Sequence, residues 1–217
     1  CTKLVDENYS ELVSSQFVPK EEDIPSLIGP AYVSWQWLNE MGMEWWPGLR
    51  YTQEISTDEL IIPRRPNGWV DEGIYREVFM HEWNTDCYYS LGNWVNSYKG
   101  ITNTNRIIYQ IESNQIPVNE GKENLLAELK VLRASYYNVL LDLFGNVPIV
   151  TKFDTPEGFL PEQSTRKQVY DFLILELTQS IPLLSEEVGP ATYGRFTKWG
   201  AFALLADIYL NGEVYTG

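Results

Sequence analysis

The residues best suited to bind a ligand are concentrated in residues 55–84, which read ISTDELIIPRRPNGWVDEGIYREVFMHEWN. Trp69 and Tyr75 are rigid aromatic planes on which the apolar face of a sugar ring can stack. The polar side chains that can form directional hydrogen bonds to hydroxyl groups are Arg64, Arg65, Asn67, Asp71 and Asn84. The segment therefore predicts a carbohydrate-binding surface. The alternative for each residue, taken singly, is a purely structural role in an ordered loop. Arg65 and Asp71, for example, would then pair with each other or with neighbouring residues.

Tryptophan is distributed unevenly along the chain. Of the eight tryptophans, seven lie between positions 35 and 94, namely Trp35, Trp37, Trp45, Trp46, Trp69, Trp83 and Trp94. One interpretation is that they fill the core of an irregular region. Turn residues nevertheless flank two of them, in Trp-Pro-Gly at 46–48 and Asn-Gly-Trp at 67–69, and turns lie at the surface. The predicted glycan-binding residues are Trp69, Tyr75, Arg65, Asn67 and Trp46.

Catalytic chemistry has little support in the sequence. His81 is the only histidine, and Cys87 lies six positions away with Trp83 between them, which disfavours a Cys–His pair. The acids at 58–59, at 71–72 and at positions 82 and 86 could serve a glycosidase. In a chain this acidic, however, such pairs are expected by chance. We predict no catalytic residues and no enzymatic activity, and a carboxylate-pair glycosidase is the remaining enzymatic alternative.

No cofactor is predicted. A single histidine excludes multi-histidine metal sites, and neither a G-x-x-x-x-G-K-[ST] nor a G-x-G-x-x-G loop is present to hold a nucleotide. The many carboxylates leave a structural Ca²⁺ site open, although no EF-hand spacing occurs.

The charge balance limits the classes of partner. With 30 acidic residues against 16 lysines and arginines, the 217-residue chain has a net charge of −14. Nucleic-acid binding depends on neutralising phosphates, so this chain is predicted to bind no nucleic acid. No stretch approaches the ~20 apolar residues that cross a bilayer as a helix.

The first residue, Cys1, is followed by the polar segment TKLVDENYSELVSSQ. This start resembles a bacterial lipoprotein after removal of its signal peptide, and the alternative is a chance boundary at a cysteine. Acyl chains on Cys1 would anchor the protein to a membrane, each buried CH₂ contributing ~0.8 kcal/mol. We therefore predict that residues 1–18 form a lipidated N-terminal tether.

The scaffold that positions these residues is predicted to be helical. In residues 127–150 apolar side chains recur at steps of three and four, and Gly145 with Asn146 stands where a left-handed C-cap is expected. A similar block runs from position 195 to Gly212. Aligning Gly212 with Gly145 gives an offset of 212 − 145 = 67 residues, close to twice the 34-residue tetratricopeptide period.

Other segments complete the expected architecture. A helix is expected to begin near Pro19, and residues 43–93 read as a loop-rich insert with one short extended run at 59–62. The further helices expected from periodicity and caps cover 94 to before 117, roughly 122–144, 165–184 beginning with a Thr165–Gln168 capping box, and 197–210 ending at Asn211-Gly212. The fold class is thus mostly α, with tetratricopeptide-like helix pairs supporting a loop-rich aromatic binding region.

Taken together, these segments resemble the SusD/RagB family of outer-membrane nutrient-binding lipoproteins. The resemblance begins at Cys1, continues through Thr57-Asp58-Glu59, Pro63-Arg64, Trp69 and His81-Glu82-Trp83, then Trp94, Tyr98, Ile101 and Asn105-Arg106-Ile107-Ile108, then Ala127-Glu128, Arg133-Ala134, Tyr136-Tyr137, Phe144-Gly145 and Val147-Pro148, and ends with Arg195, Thr197-Lys198, Ala201, Leu204-Leu205-Ala206 and Ile208-Tyr209-Leu210. Each piece alone is unspecific, whereas their order and spacing together are specific.

The resemblance implies a surface-exposed lipoprotein of the outer membrane that delivers oligosaccharides to a SusC-like TonB-dependent transporter. Residues 19–217 would form the SusD-like helical-repeat domain, with the insert at 43–93. Family members are typically more than twice as long, so the C-terminal half of the family fold is expected to lie outside these residues. The helical repeats would contact the transporter. The alternative is a helical-repeat protein that binds peptides or a protein partner.

Overall fold

The computed structural model describes residues 18–39, 48–63, 73–84 and 88–217. Within these ranges it contains no β-strand beyond one isolated bridge between Pro148 and Gln163. The α-helices of the described residues are α1 Ile24–Asn39, α2 Leu49–Ile55, α3 Ile74–Phe79, α4 Tyr88–Glu112, α5 Lys122–Phe144, α6 Arg166–Ser180, α7 Lys198–Leu210 and α8 Gly212–Thr216. The predicted mostly-α fold is confirmed.

Helix α5 forms the centre of the domain. It packs between α4 and α6, while α1 lies on α4, and α7 lies on α6 and α5. The α5 side chains Leu129, Leu132, Tyr136 and Leu140 are fully buried, as their three- and four-residue spacing predicts. The pairs α4–α5 and α6–α7 are the two helix pairs expected from the repeat.

The contact between α4 and α5 is close because of a glycine. A Cβ added at Gly100 of α4 would lie 2.2 Å from Cζ of Tyr136 on α5, so only glycine admits the ring. The Tyr136 hydroxyl in turn donates to the carbonyl of Ala31 in α1 at 2.6 Å. One tyrosine thus joins three helices at the centre of the fold.

The predicted helix ends agree with the structure at two places. Gly145 follows α5 with φ = 70°, and its N–H donates to the carbonyl of Leu141 at 3.0 Å. At the start of α6, the N–H of Thr165 donates to Oε1 of Gln168 at 2.8 Å, and the N–H of Gln168 donates to Oγ1 of Thr165 at 3.3 Å. The predicted capping box is therefore confirmed.

Two local predictions were wrong. Helix α4 begins at Tyr88, six residues before the expected start, and residues 59–62 form no strand. Helix α7 ends at Leu210 as expected, and Gly212 then opens α8. Glycine at position 212 lets the Tyr170 side chain pack closely against the backbone, because a Cβ there would lie 3.0 Å from the Tyr170 hydroxyl.

A buried carboxylate connects distant parts of the chain. Glu128 of α5 accepts a short hydrogen bond from the Tyr32 hydroxyl of α1. It also accepts from Nε of Arg195 at 2.9 Å and from Nη2 at 2.6 Å. Burial, together with the charge of Glu128, raises the pKa of Tyr32, so the phenol keeps its proton and remains a donor.

The connector between α5 and α6 is held by helix side chains. The Tyr98 hydroxyl donates to the Pro148 carbonyl at 2.8 Å, and Asn105 Nδ2 donates to the Val150 carbonyl at 2.9 Å. The Tyr137 hydroxyl accepts from the N–H of Val150 at 2.7 Å, and burial raises the pKa of Tyr137 to about 12. Several residues of the family resemblance are therefore structural, because they replace the backbone partners that this extended segment lacks.

None of the helices in the described part of the chain is both long enough and apolar enough to cross a bilayer.

Candidate functional site

A cleft of about 430 Å³ lies where the predicted insert meets the end of α5. Its walls come from α2, from the segment after α3, from the start of α4 and from the last turn of α5. The lining residues are Thr52, Gln53, Ser56, Trp83, Ser90, Asn93, Asp142, Leu143 and Phe144. An aromatic plane surrounded by small polar side chains is the composition expected of a sugar-binding cleft.

Two short helices form the wall contributed by the insert. Ile55 of α2 is buried with Tyr75 and Val78 of α3, in a small apolar cluster separate from the main core. Their contact holds α2 and α3 together although both helices are too short to be stable alone. The polar side chains of Thr52 and Gln53 then point away from this cluster and line the cleft.

Trp83 provides the aromatic surface of the cleft, and its side chain is 47% exposed. Its ring centroid lies 4.9 Å from that of His81, with 37° between the ring planes. Nε2 of His81 lies 2.8 Å from the carbonyl oxygen of Ser56, which requires the tautomer with a proton on Nε2. His81 also has φ = 57°, a left-handed conformation that is uncommon for residues other than glycine, although histidine adopts it more often than most. The segment after α3 is thus held in a specific conformation that supports Trp83.

The polar groups of the cleft are joined across elements. Nε2 of Gln53 donates to Oδ2 of Asp142 at 2.8 Å, which leaves the Gln53 carbonyl oxygen as an acceptor. Oδ1 of Asp142 accepts from the Tyr215 hydroxyl at 3.3 Å. Burial, and the nearby charge of Asp142, raise the pKa of Tyr215, so this phenol remains a donor. Asn93, which is buried, donates from Nδ2 to Oγ1 of Thr52 at 3.4 Å.

The sequence-predicted binding residues are only partly placed by the structure. Trp46, Arg65, Asn67 and Trp69 lie outside the described residues, as does the predicted lipidation site Cys1. Tyr75 is described, and its ring is 5% exposed. It packs edge-on against Tyr51 at 6.0 Å, so the structure assigns it to the apolar cluster that supports the cleft and not to an exposed stacking surface.

Sequence reasoning did not single out Trp83 and Asp142 as binding residues. The signal for Trp83 was present, because it lies inside the aromatic stretch 55–84 beside Asn84. Asp142 lies in the helix assigned to the scaffold, 59 residues after Trp83, and only the tertiary fold brings the two to one cleft.

A second groove of about 470 Å³ lies between α5 and α6. At its base Arg133 donates through Nε and Nη2 to Oε1 of Glu176, the Nε contact being 3.0 Å, and Nη1 donates to Oδ1 of Asn105 at 2.7 Å. Oε2 of Glu176 is buried and has no hydrogen-bond partner among the described residues. Burial raises the pKa of Glu176, and the adjacent guanidinium opposes that shift. The rim carries Glu123 and Lys130, and the walls include Phe172 and Leu175.

Among the described residues, no group of three or more histidine, cysteine, aspartate or glutamate side chains could hold a metal ion. The structural Ca²⁺ site that the sequence leaves open stays a hypothesis.

Comparison with known families gives a match over residues 17–210, to a SusD-like family described as starch-binding and associating with the outer membrane. This match covers most of the chain. The chain belongs to the SusD-like family. The family predicted from the sequence resemblance is therefore confirmed.

Two curated members of this family illustrate the relationship. The starch-binding protein SusD of Bacteroides thetaiotaomicron is 36% identical over 91 residues, which cover 42% of this chain and 16% of that protein. A SusD-like protein of Bacteroides ovatus is 30% identical over 125 residues, covering 55% of this chain and 22% of that protein. The matched region is thus less than a quarter of the length of either relative.

Solved structures share the fold. A laminarin-binding SusD-like protein superposes with a TM-score of 0.75 at 23% identity, covering 89% of this chain and 41% of its own. Surface glycan-binding protein A of Bacteroides thetaiotaomicron, solved with laminarihexaose, gives a TM-score of 0.74 at 23% identity. The match covers 89% of this chain and 39% of that protein. At this level of identity the likeness establishes the helical fold and does not determine the ligand or the partner of this chain.

Proposed function

We propose that this protein is a cell-surface lipoprotein of the outer membrane that binds an oligosaccharide or polysaccharide and delivers it to a SusC-like TonB-dependent transporter. Membership of the SusD-like family supports the general class. The observation that carries the ligand assignment is the exposed indole of Trp83 beside the polar side chains of Gln53 and Asp142. The protein acts by binding and not by catalysis.

The geometry suits a stacked sugar ring. His81 packs against one side of the Trp83 indole, so a ligand would stack on the opposite side. A sugar ring placed there would have hydroxyl groups within reach of the Gln53 carbonyl and the Asp142 carboxylate, both of which accept hydrogen bonds. Stacking on one aromatic plane contributes about 1 kcal/mol beyond the area it buries.

Charge favours a neutral glycan over an acidic one. The chain has a net charge of −14, and the cleft itself contains the carboxylate of Asp142. A polymer of uronic acids or sulfated sugars would be repelled by both at low ionic strength.

The anchor and the transporter are separate parts of this proposal, and each has its own test. Mass spectrometry of the protein from its native host should find acyl chains on Cys1, and an unmodified cysteine would exclude the lipid anchor. Affinity purification from detergent-solubilised outer membranes should recover a TonB-dependent transporter, and its absence would exclude a stable complex.

Peptide binding is the second candidate function, and the groove between α5 and α6 supports it. The groove combines charged rim residues of both signs, Glu123 and Lys130, with the apolar side chains of Phe172 and Leu175. Helix-pair repeats commonly present such surfaces to extended or helical peptides.

Affinity gel electrophoresis against neutral and acidic polysaccharides tests the ligand assignment. The wild-type chain should be retarded by at least one neutral polysaccharide. Trp83→Ala should lose most of this retardation at an unchanged melting temperature, since a half-exposed side chain contributes little to the core. Trp69→Ala tests the part of the site that was predicted from the sequence alone.

Trp37→Ala is the matched control for the loss of an exposed indole. Trp37 is 64% exposed on α1, which does not line the cleft, so this variant should keep wild-type retardation. Equal losses in both tryptophan variants would argue against the cleft. Retardation by no glycan, combined with tight binding of peptides, would replace the glycan assignment by the peptide one.

A further inference from the structure

The turns that end α3 and α4 have the same backbone structure. Each helix ends in a Schellman motif, in which two N–H groups beyond the helix donate back to its last carbonyl groups. After α3, the N–H of His81 donates to the Val78 carbonyl at 3.1 Å, and the N–H of Glu82 donates to the Glu77 carbonyl at 2.9 Å. The same two bonds follow α4, where Asn114 stands in the place of His81. Both positions therefore require the same backbone conformation.

The conformation required at both positions is left-handed. Among the residues that the structure describes, His81 and Asn114 are the non-glycine residues with positive φ, and both have φ = 57°. Glycine adopts this conformation without steric cost and asparagine is its usual substitute, so the residue after α4 is an expected one. The histidine after α3 is exposed, so burial does not favour it there. A histidine at position 81 is therefore explained by the contacts of its ring and not by the backbone.

The ring of His81 connects two parts of the cleft. It packs on the Trp83 indole, with the ring centroids 4.9 Å apart, and its Nε2 donates to the Ser56 carbonyl at 2.8 Å. Ser56 follows α2 directly, and its hydroxyl donates to the Gln53 carbonyl at 2.8 Å. Both Ser56 and Gln53 line the cleft on the wall that α2 contributes. His81 thus determines where the indole lies relative to that wall.

We propose that His81 is a positioning residue of the cleft, which holds the Trp83 indole at a fixed orientation and distance from Gln53. The proposal rests on the function proposed above, because it concerns the binding of the same sugar. An aromatic plane that is already held in place loses less conformational freedom when a sugar stacks on it, so the affinity is higher. Because half of the Trp83 side chain is exposed, packing restricts it less than it would a buried tryptophan, and the contact with His81 has a correspondingly larger effect.

Stability and binding should respond differently to glycine at position 81. His81→Gly removes the steric cost of the left-handed conformation, and it also removes an exposed hydrogen bond and an exposed ring contact. These effects oppose each other, so the melting temperature should stay within about 2 °C of the wild type. The affinity for the glycan should nevertheless fall by roughly fivefold, because the indole must then be ordered on binding.

Two measurements on the 217-residue chain test the proposal. The first is fluorine-19 NMR of protein labelled with 5-fluorotryptophan, in which the Trp83 resonance is identified by its loss in Trp83→Phe. In His81→Gly this resonance should broaden or move toward the position of free 5-fluorotryptophan, because no ring holds the indole. The second is isothermal titration calorimetry with a hexasaccharide of the neutral polysaccharide that retards the wild type, which should show the fivefold loss of affinity.

Asn114→Gly is the matched control. It makes the same backbone change in the same motif at the same φ. The end of α4 lies roughly 30 Å from the cleft residue Asn93, at 1.5 Å per helical residue. This variant should therefore leave both the Trp83 resonance and the affinity for the hexasaccharide unchanged.

The two measurements separate failure of this proposal from failure of the proposed function. A Trp83 resonance that is the same in His81→Gly as in the wild type would overturn the proposal. An unchanged affinity for a hexasaccharide that the wild type binds would overturn it as well. A wild type that binds no neutral hexasaccharide would instead refute the proposed function, and the resonance alone would then decide whether His81 positions Trp83.

Discussion

Replacement of Arg133 by methionine tests how the α5–α6 pair is held together. Arg133 contacts Glu176 through two donors, and the Glu176 side chain is only 6% exposed. Removal of the guanidinium takes away the cation that is hydrogen-bonded to this buried carboxylate, a change that typically costs about 3–5 kcal/mol. For a chain of 217 residues, roughly 2 °C of melting temperature corresponds to each kcal/mol, so we expect a decrease of roughly 6–10 °C.

The double variant Arg133→Met/Glu176→Leu separates electrostatic from packing effects. With both charges gone no ion is left buried, and apolar replacement of a buried pair is often neutral or stabilising. Asn105 and the Thr151 carbonyl still lose their donor, at about 1 kcal/mol each. We therefore expect the double variant to be about 1–2 kcal/mol less stable than the wild type, and thus more stable than Arg133→Met.

The pH dependence of the single variant gives a further check. The folded-state pKa of Glu176 is raised above its ordinary value of 4.5, so the folded state binds this proton more tightly than the unfolded chain. The stabilisation that comes from this raised pKa is fully present below pH 4.5, and it is lost as the pH rises through the folded-state pKa of Glu176. Without Arg133 the pKa of Glu176 in the folded state rises further. The loss of stability caused by Arg133→Met should therefore be smaller at pH 5, where the carboxyl group is mostly protonated, than at pH 8.

Urea unfolding followed by circular dichroism measures all three effects. If the double variant were as unstable as Arg133→Met, the uncompensated charge would not be the cause of the loss. If the loss in Arg133→Met were equal at pH 5 and pH 8, the carboxylate of Glu176 would have no part in it. Either result would refute the reasoning.

Further predictions concern the packing of α4, α5 and α7. Gly100→Ala should destabilise the protein by several kcal/mol, because its Cβ would overlap the Tyr136 ring, whereas at Gly200 of α7 a Cβ meets only the Phe196 ring, at an ordinary contact distance of 3.5 Å, so Gly200→Ala should stabilise the protein by about 0.5–1 kcal/mol. Arg195→Leu should cost about 2–3 kcal/mol, because it removes the cation beside buried Glu128. This cost is smaller than that expected for Arg133→Met because Arg195 is partly exposed. Thermal unfolding measures each, and equal effects of the two glycine variants would contradict the packing argument.

The scaffold was predictable from the sequence because its signals are local. The apolar repeat of α5 and the glycine after it determined both ends of that helix, and the Thr165–Gln168 box determined the start of α6. The sequence predicts the start of α4 six residues too late, because Gly92 favours a loop although it lies within the helix. Helices α2 and α3 are too short for periodicity to reveal.

The candidate cleft was less predictable because it depends on tertiary contacts. The sequence indicated an aromatic region, and Trp83 lies within it. Tyr75 was expected at the surface but fills the cluster under α2, since an aromatic side chain serves equally well as a core residue. The partner side chain Asp142 comes from a scaffold helix, and no spacing rule connects it to residues 52–83.

The central claim is that the Trp83 cleft binds a neutral glycan. Isothermal titration calorimetry with a hexasaccharide of the retarding polysaccharide tests it most directly, using the 217-residue chain and its Trp83→Ala variant. We expect saturable binding by the wild type and an affinity about tenfold lower in the variant, equivalent to ~1.4 kcal/mol. Equal affinities for the two proteins, or no heat of binding with any neutral hexasaccharide, would contradict the claim.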